Sequence, residues 1–278
     1  MPEKPEVITV VNSLKRYLLG KTIQSVDVFW NAIISYPDVP TFQEEMKQEQ
    51  IHDITCRGKW IVISLTNYLL LIHLRMEGKF FFRKTGTPRS KHEHILFHLT
   101  DGEDFRFCDT RKFGRIVLVS KADAYSREPL CSLGLEYYDA NLTPDYLLEH
   151  FKIKRIPIKT TLLDQTIIAG IGNIYDDEIL FATKINPYQP TYQITKKEAT
   201  AIIDATRSVL DHAVSLGGTT IKSFTSEEGV HGLFQNELQI HGMKTCPVCN
   251  TIVRKVMIGG RGTYYCPKCQ ILKRRKKK

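Results

Sequence analysis

The sequence predicts an α+β protein of several domains, and three observations support that fold class. Short β-rich segments follow one another to about residue 120 with little helix between them, which is typical of an antiparallel sandwich. From about residue 136 the apolar residues recur at helical spacing, and the last 33 residues hold two Cys-x-x-Cys pairs. We therefore predict an N-terminal antiparallel β-sandwich domain with an N-terminal helix (1–135), a helical domain (136–240), a C-terminal four-cysteine finger (241–272) and a basic tail (273–278).

Composition limits the class of protein further. The chain has 278 residues, of which 42% are hydrophobic, and this is enough for two domains and a small appendage. Its apolar runs are far shorter than the roughly 20 residues of a membrane span, and its N-terminus lacks the regions of a signal peptide. Seven cysteines in a chain without a leader argue against a disulfide framework. We expect a cytoplasmic monomer with no membrane partner.

The positive charge of the chain is unevenly distributed. The formal net charge is +9, but the final six residues, 273–278, supply +6 and leave +3 for all the others. Net charge is therefore weak evidence for a nucleic-acid partner. The tail is equally consistent with a contact to a polyanion and with a disordered solubilising end.

Periodicity and capping residues locate the elements of the first half. Apolar residues recur at helical spacing after Pro5, and Gly20 follows where a helix end favours a left-handed residue, so we predict a helix over 5–19. Thr41 and Glu44 form a capping-box pattern for a short helix near 42–49. The predicted strands are 22–30, 51–56, 60–66, 68–74, 79–83, 93–99, 104–108 and 114–120.

Helices dominate the second half. Two glycines in the segment 169–173 allow a tight turn that brings backbone amides and the Asn173 side chain to an anion at a helix N-terminus. The preceding segment 152–159 adds four positive charges. The predicted helices are 144–152, 160–168, 174–184 and a long one that Thr195 and Glu198 cap and that runs to Leu216 before two glycines.

The first residues carry a candidate nucleophile. Removal of Met1, which is expected before a residue as small as proline, leaves Pro2 with a free secondary amine beside the carboxylate of Glu3. A secondary amine forms an iminium with an aldehyde sugar, and the iminium is the electron sink that Schiff-base chemistry requires. Taken alone, Pro2 and Pro5 are equally at home in the first turn of an ordinary helix.

Three connections of the first domain combine cations with apolar side chains. They are the segments 57–59, 73–78 and 109–114. An exposed ring in such a turn is costly unless something covers it, and nucleic acid offers phosphates to the cations and a base stack to the ring. The alternative is that Met76 and Phe113 complete the core.

The strongest local signal is the pair of Cys-x-x-Cys motifs. They are separated by 16 residues, which is the spacing of a tetrahedral zinc site, and four thiolates fill that site, so we predict one structural Zn²⁺. A hairpin predicted between them, 251–257 with 263–265, carries Arg261 among glycines at its tip, where a guanidinium can meet a phosphate. The predicted zinc ligands are Cys246, Cys249, Cys266 and Cys269.

Together these stretches resemble the formamidopyrimidine-DNA glycosylase family of bacterial base-excision repair enzymes, which shares its fold with endonuclease VIII. The resemblance implies a β-sandwich, a helix-two-turn-helix domain and a zinc finger. It also implies a nucleoid-associated bifunctional DNA glycosylase and AP lyase, which excises 8-oxoguanine and formamidopyrimidines from duplex DNA through a Schiff base and β,δ-elimination. The motifs that carry it are 2–7, 57–59, 73–78, 109–114, 162–175 and the cysteine hairpin.

The resemblance implies roles for the reactive residues. Pro2 is the nucleophile that attacks C1′ of the damaged nucleotide, and Glu3 is the acid that aids opening of its sugar. Lys59 contacts the flanking phosphate and assists elimination. Asn173 and Arg261 clamp phosphates around the extruded nucleotide, and Arg261 also assists the second elimination.

Further roles concern DNA distortion and lesion recognition. Met76, Arg111 and Phe113 fill the void left by the extruded base, which must leave the stack at a cost of a few kcal/mol. Glu77 and the loop 219–235 hold the extruded lesion. The remaining positions that match DNA contacts are His73, His92, Arg155 and Lys159.

The chain departs from the family pattern at three places. Lys4 replaces an apolar residue, Ile8 stands where a glutamate is usual, and the segment 133–136 lacks a proline; these bear on substrate preference and rate more than on reaction type. The alternatives are an endonuclease VIII-like enzyme for oxidised pyrimidines, a non-catalytic zinc-finger DNA-binding protein and a structural RNA-binding protein. Pro2 and Glu3 favour an enzyme, because a protein that only binds needs no iminium-forming terminus.

Overall fold

The computed structural model describes residues 1–219 and 232–273. The chain divides into two compact units, Met1–Cys131 with Gly217–Gly232 and Ser132–Leu216 with Leu233–Lys278. The second unit therefore contains both the helical segment and the four clustered cysteines. Most of the loop expected to hold the lesion (219–235) and of the basic tail (273–278) lies outside the described residues.

Two sheets and two helices form the described part of the first unit. Its elements are α1 (Lys4–Leu18), β1 (Ile23–Val28), β2 (Ile34–Tyr36), α2 (Val39–Glu45), β3 (Asp53–Arg57), β4 (Trp60–Ser64), β5 (Tyr68–His73), β6 (Lys79–Lys84), β7 (Glu93–Leu99), β8 (Glu103–Cys108) and β9 (Arg115–Ser120). The strand orders are β1-β7-β8-β6 and β2-β9-β5-β4-β3, and only β2 and β9 pair in parallel. Residues of both sheets and of α1 share one hydrophobic core, so the predicted sandwich is confirmed.

The first helix forms where its apolar periodicity placed it. Val7, Val10 and Leu14 face the core and are almost fully buried. Gly20 adopts the left-handed conformation at φ +79°, which ends the helix as predicted. Lys4 is also fully buried, and its Nζ donates a hydrogen bond to the Cys56 carbonyl oxygen at the end of β3.

Two local predictions in this unit were wrong. The short helix α2 begins three residues earlier than expected, because the Asp38 carboxylate accepts the Thr41 N–H at 3.0 Å and also the Thr41 hydroxyl. Thr41 is therefore capped rather than capping. The strand β2 was missed, since three residues are too few for a period-2 pattern and its parallel partner β9 lies far along the chain.

Helices and a small hairpin form the second unit. Its elements are β10 (Leu135–Glu136), α3 (Pro144–Lys152), α4 (Ile158–Leu162), β11 (Ile168–Ala169), α5 (Asn173–Ala182), α6 (Lys196–Ser215), β12 (Arg254–Ile258) and β13 (Arg261–Tyr265). One core cluster joins the helices, and a smaller one joins Phe181 of α5 to the cysteine segment. In the described part of the chain, no helix combines the length and apolar character needed to cross a membrane.

Local side-chain hydrogen bonds decide where α6 begins and where α4 ends. The predicted capping box of Thr195 and Glu198 is present at α6. The helix predicted over 160–168 ends at Leu162, because the Asp164 carboxylate accepts the Thr166 N–H at 3.0 Å and gives the backbone a turn instead. The chain then enters β11, which pairs in parallel with β10.

Candidate active site and nucleic-acid interface

One hydrogen bond of the first unit joins the start of α1 to the strand that precedes the Lys59 turn. Pro2 and Glu3 are buried just before α1, and the Glu3 N–H donates to the Glu6 carboxylate at 2.8 Å. The hydrogen bond of 3.4 Å from Lys4 Nζ to the Cys56 carbonyl oxygen ties this end of α1 to β3. A two-residue turn follows β3 and contains Lys59, whose side chain is 7% exposed. The structure thus joins the segment that holds Pro2 and Glu3 to the strand that leads to Lys59.

Glu6 connects this region to the start of the loop expected to hold the lesion. One carboxylate oxygen accepts the Thr219 N–H at 2.8 Å and the Thr219 hydroxyl at 3.1 Å, while the other accepts the Glu3 N–H. Gly218 packs against Glu6 so closely that a Cβ would lie 2.6 Å from its carboxylate oxygen. Sequence reasoning gave Glu6 no role, because its partner lies 213 residues away.

His73 is a neutral group in this site. Burial first, and then the positive charges of Arg75, Lys59 and Arg115, lower the pKa of His73 to about 3. Its Nδ1 accepts the Arg75 N–H at 3.0 Å, which assigns the ring proton to Nε2. The ring of Trp60 contacts it edge-on, with centroids 5.0 Å apart. His73 can therefore donate a hydrogen bond to a phosphate but does not offer it a charge.

The turn after β5 presents Met76 to solvent. Arg75 adopts a left-handed φ of 53°, and the Met76 side chain is 42% exposed. Gly78 is required here, because a Cβ would lie 2.6 Å from the Leu74 carbonyl oxygen. The interpretation of Met76 as a core residue is therefore excluded. Glu77 accepts a short hydrogen bond from the Thr110 hydroxyl, which links this turn to the next one.

The turn between β8 and β9 is built around Asp109. This fully buried carboxylate accepts the N–H groups of Arg111, Phe113 and Gly114 at 2.7–2.9 Å. Phe113 remains 51% exposed, and the Arg111 guanidinium lies 4.7 Å from its ring centroid. The half-buried His92 is held beside this turn, since its carbonyl oxygen accepts the Asp109 N–H at 2.9 Å. The exposed ring and cation are thus held by a rigid support.

The predicted anion turn of the second unit is rigid and joined to the hairpin. The Gln165 side chain accepts the Gly170 N–H and donates to the Ile171 carbonyl oxygen, both at 2.9 Å. Asn173 is the first residue of α5, and its Nδ2 donates to the Gly262 carbonyl oxygen at 2.8 Å. This hydrogen bond joins Asn173 to the residue that follows Arg261.

The hairpin presents Arg261 at its turn. Gly259 and Gly260 form the two-residue tip with φ of +55° and +74°, values that favour glycine. Arg261 pairs with Ile258 at the start of β13 and is exposed. Arg155 is also exposed, with its guanidinium 5.6 Å from the Tyr192 ring centroid.

Lys159 does not lie where a DNA contact requires it. Its side chain is 0% exposed, and its Nζ lies 2.7 Å from Asp177 Oδ1 and 3.5 Å from Asp176 Oδ2. A cation enclosed by two carboxylates does not reach a phosphate. The sequence could not reveal this, because a positive charge in a basic segment is expected to face solvent.

The four cysteines converge on one point. Their Sγ atoms all lie within 4.8 Å of one another, with pairs at 3.5 and 3.8 Å. A tetrahedral Zn–S₄ centre with bonds of 2.3 Å has S···S edges of about 3.8 Å. None of the four forms a disulfide. The set Cys246, Cys249, Cys266 and Cys269 therefore fits one zinc ion that has no coordination position left for substrate.

Family models match three successive parts of the chain. They are the formamidopyrimidine-DNA glycosylase N-terminal domain over 1–116, the formamidopyrimidine-DNA glycosylase H2TH domain over 133–225, and the zinc finger found in FPG and IleRS over 244–271. Fold and site thus define a DNA glycosylase with a zinc finger. The chain belongs to the formamidopyrimidine-DNA glycosylase family.

Relatives match over almost the entire chain. The formamidopyrimidine-DNA glycosylases of Bacillus cereus and Exiguobacterium sibiricum are 42% and 43% identical, covering 97% of this chain and 99% of theirs. Among solved structures, the Lactococcus lactis Fpg in complex with abasic-site DNA is 31% identical with a TM-score of 0.89, covering 97% of this chain and 99% of that one. A mutant of the same enzyme in complex with Fapy-dG DNA is 32% identical with a TM-score of 0.89, covering 97% and 100%.

Proposed function

We propose that this protein is a bifunctional DNA glycosylase and AP lyase that excises 8-oxoguanine and formamidopyrimidines from duplex DNA. The observation that carries the proposal is the buried Pro2-Glu3 terminus, which Lys4 ties to the strand that leads to Lys59. A protein that only binds DNA has no need of an iminium-forming terminus beside a carboxylate. Similarity to the Lactococcus lactis enzyme, solved with abasic-site and Fapy-dG DNA, supports the substrate class.

The proposed chemistry begins at Pro2 once Met1 has been removed. The Pro2 nitrogen attacks C1′ of the damaged nucleotide, and the base leaves with the proton that the Pro2 nitrogen loses. Glu3 then protonates the sugar oxygen as the ring opens, which leaves an iminium between Pro2 and C1′. The resulting iminium acidifies the adjacent C2′–H, so that loss of this proton expels one phosphate and a second elimination expels the other. Lys59 assists the first elimination and Arg261 the second.

Exposed side chains of the first unit replace the extruded base. Met76 and Phe113 stand out from two turns that the Glu77–Thr110 hydrogen bond joins, and Arg111 lies against the Phe113 ring. An apolar wedge with one guanidinium can occupy the vacated stack while it hydrogen-bonds the orphaned base. Glu77 and the loop 219–235 hold the lesion.

Phosphate contacts come from both units. In the first they are His73 and His92, and in the second Arg155, Asn173 and Arg261. His73 contributes a neutral hydrogen bond, whereas Arg155 and Arg261 contribute exposed charges that make binding salt-dependent. We leave Lys159 out of this group, because its ammonium is paired inside the protein.

The finer features of the protein follow from this function. One structural Zn²⁺ on the four cysteines holds the hairpin that carries Arg261. The protein acts in the cytoplasm in association with the nucleoid, since its substrate is DNA, and we propose that it does so as a monomer. We retain the division into 1–135, 136–240, 241–272 and 273–278 as a functional division, in which the third part stabilises the second.

Borohydride trapping tests the proposal directly. Incubation with an 8-oxoguanine duplex and borohydride should give a covalent adduct that maps to residue 2. A form with two extra residues before Pro2 should give none, because its proline nitrogen is an amide. The Glu3→Gln variant should bind the duplex yet fail to excise the base. Equal trapping by the extended form would move the nucleophile to another amine, and a preference for an oxidised-pyrimidine duplex would favour the endonuclease VIII-like alternative.

A further inference from the structure

Lys159 lies at the centre of a buried ionic cluster in the second unit. Its Nζ is 2.7 Å from Asp177 Oδ1 and 3.5 Å from Asp176 Oδ2, and all three side chains are 0% exposed. Asp177 Oδ2 in turn lies 2.6 Å from His241 Nδ1. Charges this far from water are costly unless they are paired and hydrogen-bonded, so a cluster of this kind strongly restricts the geometry around it. We define these four residues as the Lys159 cluster.

The Lys159 cluster contacts both elements that carry the proposed phosphate clamps. Lys159 Nζ donates to the Asn173 carbonyl oxygen at 3.1 Å, which fixes the first residue of α5. Asp177 Oδ2 accepts the Tyr264 N–H at 3.1 Å, which fixes β13 three residues beyond Arg261. The hydrogen bond of 2.8 Å from Asn173 Nδ2 to the Gly262 carbonyl oxygen joins α5 to β13 directly. The anion turn and the hairpin are therefore joined both by this direct hydrogen bond and by the buried charges of the Lys159 cluster.

From this geometry we propose that Lys159 and Asp177 are positioning residues that hold Asn173 and Arg261 at the spacing needed to clamp DNA phosphates. The inference rests on the proposed function of those two residues. A displacement of about 1 Å can cost about 100-fold in rate, so the position of the hairpin matters. The cluster holds that position without touching DNA.

Two variants remove the charges of the cluster. Lys159→Met keeps the volume of the side chain, and Asp177→Asn keeps an acceptor for the Tyr264 N–H. We expect both to retain one zinc and full borohydride trapping at saturating enzyme, because Pro2 and Glu3 belong to the first unit. We also expect duplex affinity to fall at least tenfold and the share of β,δ-elimination product to fall to that of Arg261→Ala. The control Lys196→Met removes a surface ion pair of 2.8 Å with Asp145 in the same unit. It should change neither the duplex affinity nor the share of β,δ-elimination product.

A double-variant cycle separates positioning from general stability. Adding Arg261→Ala to Asp177→Asn should cause little further loss of β,δ product, because both changes remove the same interaction with DNA. If the cluster only stabilises the fold, the two substitutions should reduce the β,δ product independently, and Asp177→Asn alone should give a normal product ratio well below its melting temperature. Either result would overturn the proposal. If Lys159→Met does not fold, Asp177→Asn and His241→Gln decide. Duplex affinity tests the inference even if the wild-type protein forms no covalent adduct. Failure of the inference is therefore distinguishable from failure of the glycosylase function.

Discussion

Burial decides what single charged residues can do in this protein. His73 and Lys159 both match DNA-contacting positions in the sequence, yet both side chains are buried. His73 loses its charge, since burial and neighbouring cations lower its pKa to about 3, whereas Lys159 is paired with Asp177. The two residues differ because one lies among cations and the other among carboxylates. Their proposed roles therefore differ as well.

The pKa of His73 predicts how stability depends on pH. A histidine has a pKa near 6.5 in the unfolded chain, so below that pH the unfolded state takes up a proton that folded His73, with a pKa of about 3, does not. Stability is therefore present above pH 6.5 and is lost as pH falls from about 6.5 to about 3. At pH 5 the loss due to His73 should be about 2 kcal/mol.

Urea unfolding at pH 7 and pH 5 measures this contribution. The His73→Gln variant, in which the amide oxygen can still accept the Arg75 N–H, should lose less stability between the two pH values than the wild type. His52→Gln is the control, because His52 is exposed and its ring hydrogen-bonds the Thr66 hydroxyl at 3.2 Å. Identical pH dependence in His73→Gln and wild type would contradict a neutral, buried His73.

At the scale of elements, two turns present the proposed wedge, and a single carboxylate organises one of them. We predict that Asp109→Asn lowers the free energy of unfolding by about 1–3 kcal/mol, because an amide turns one buried acceptor into a donor that faces backbone N–H groups. The same variant should discriminate poorly between damaged and undamaged duplexes, since Arg111 and Phe113 lose their support. Chemical denaturation and competition binding measure the two effects.

The control for that turn is Asp101→Asn. Asp101 also accepts a backbone N–H, from Glu103 at 3.2 Å, and lies 2.8 Å from Lys21 Nζ, but it is exposed, so water can replace most of what the amide loses. Its change in stability should stay within about 0.5 kcal/mol. A loss as small as this for Asp109→Asn would show that the turn is held by other contacts.

At the scale of the whole molecule, most of the net charge comes from the tail 273–278. Its first residue, Lys273, contacts other residues of the second unit. Lys273 hydrogen-bonds Gln189 through its backbone N–H at 3.0 Å, and its Nζ lies 2.8 Å from Glu198 Oε1. The other five cations of the tail, at 274–278, lie outside the described residues. This refines the hypothesis that the tail adds phosphate contacts.

We predict that deleting residues 274–278 makes the slope of log K against log salt shallower by roughly two to four units, since each phosphate contact contributes about 0.9. Affinity for undamaged and damaged duplexes should fall alike, because phosphate contacts carry no sequence information. Excision at saturating enzyme should not change. A chain with glutamine at these five positions controls for length, and an unchanged slope in both would support the solubilising alternative.

The sequence by itself determined the features that depend on residues close together in the chain. The cluster of four cysteines follows from Cys-x-x-Cys spacing, α6 from Thr195 with Glu198, and the end of α1 from Gly20, since motif spacing, capping and left-handed turns are local properties. The strands of the sandwich were likewise found from their short β-rich runs, apart from the three residues of β2.

Tertiary structure alone decided the features that depend on which distant segments meet. It placed Glu6 against Thr219, enclosed Lys159 between carboxylates of α5, and ended α4 where Asp164 and Gln165 form a turn with later residues. The physical reason is that the energy of a charge depends on its exposure and partners, which packing sets. A lysine that the sequence shows only as one positive charge in a basic segment is thereby found inside the protein, paired with the residues that hold the hairpin.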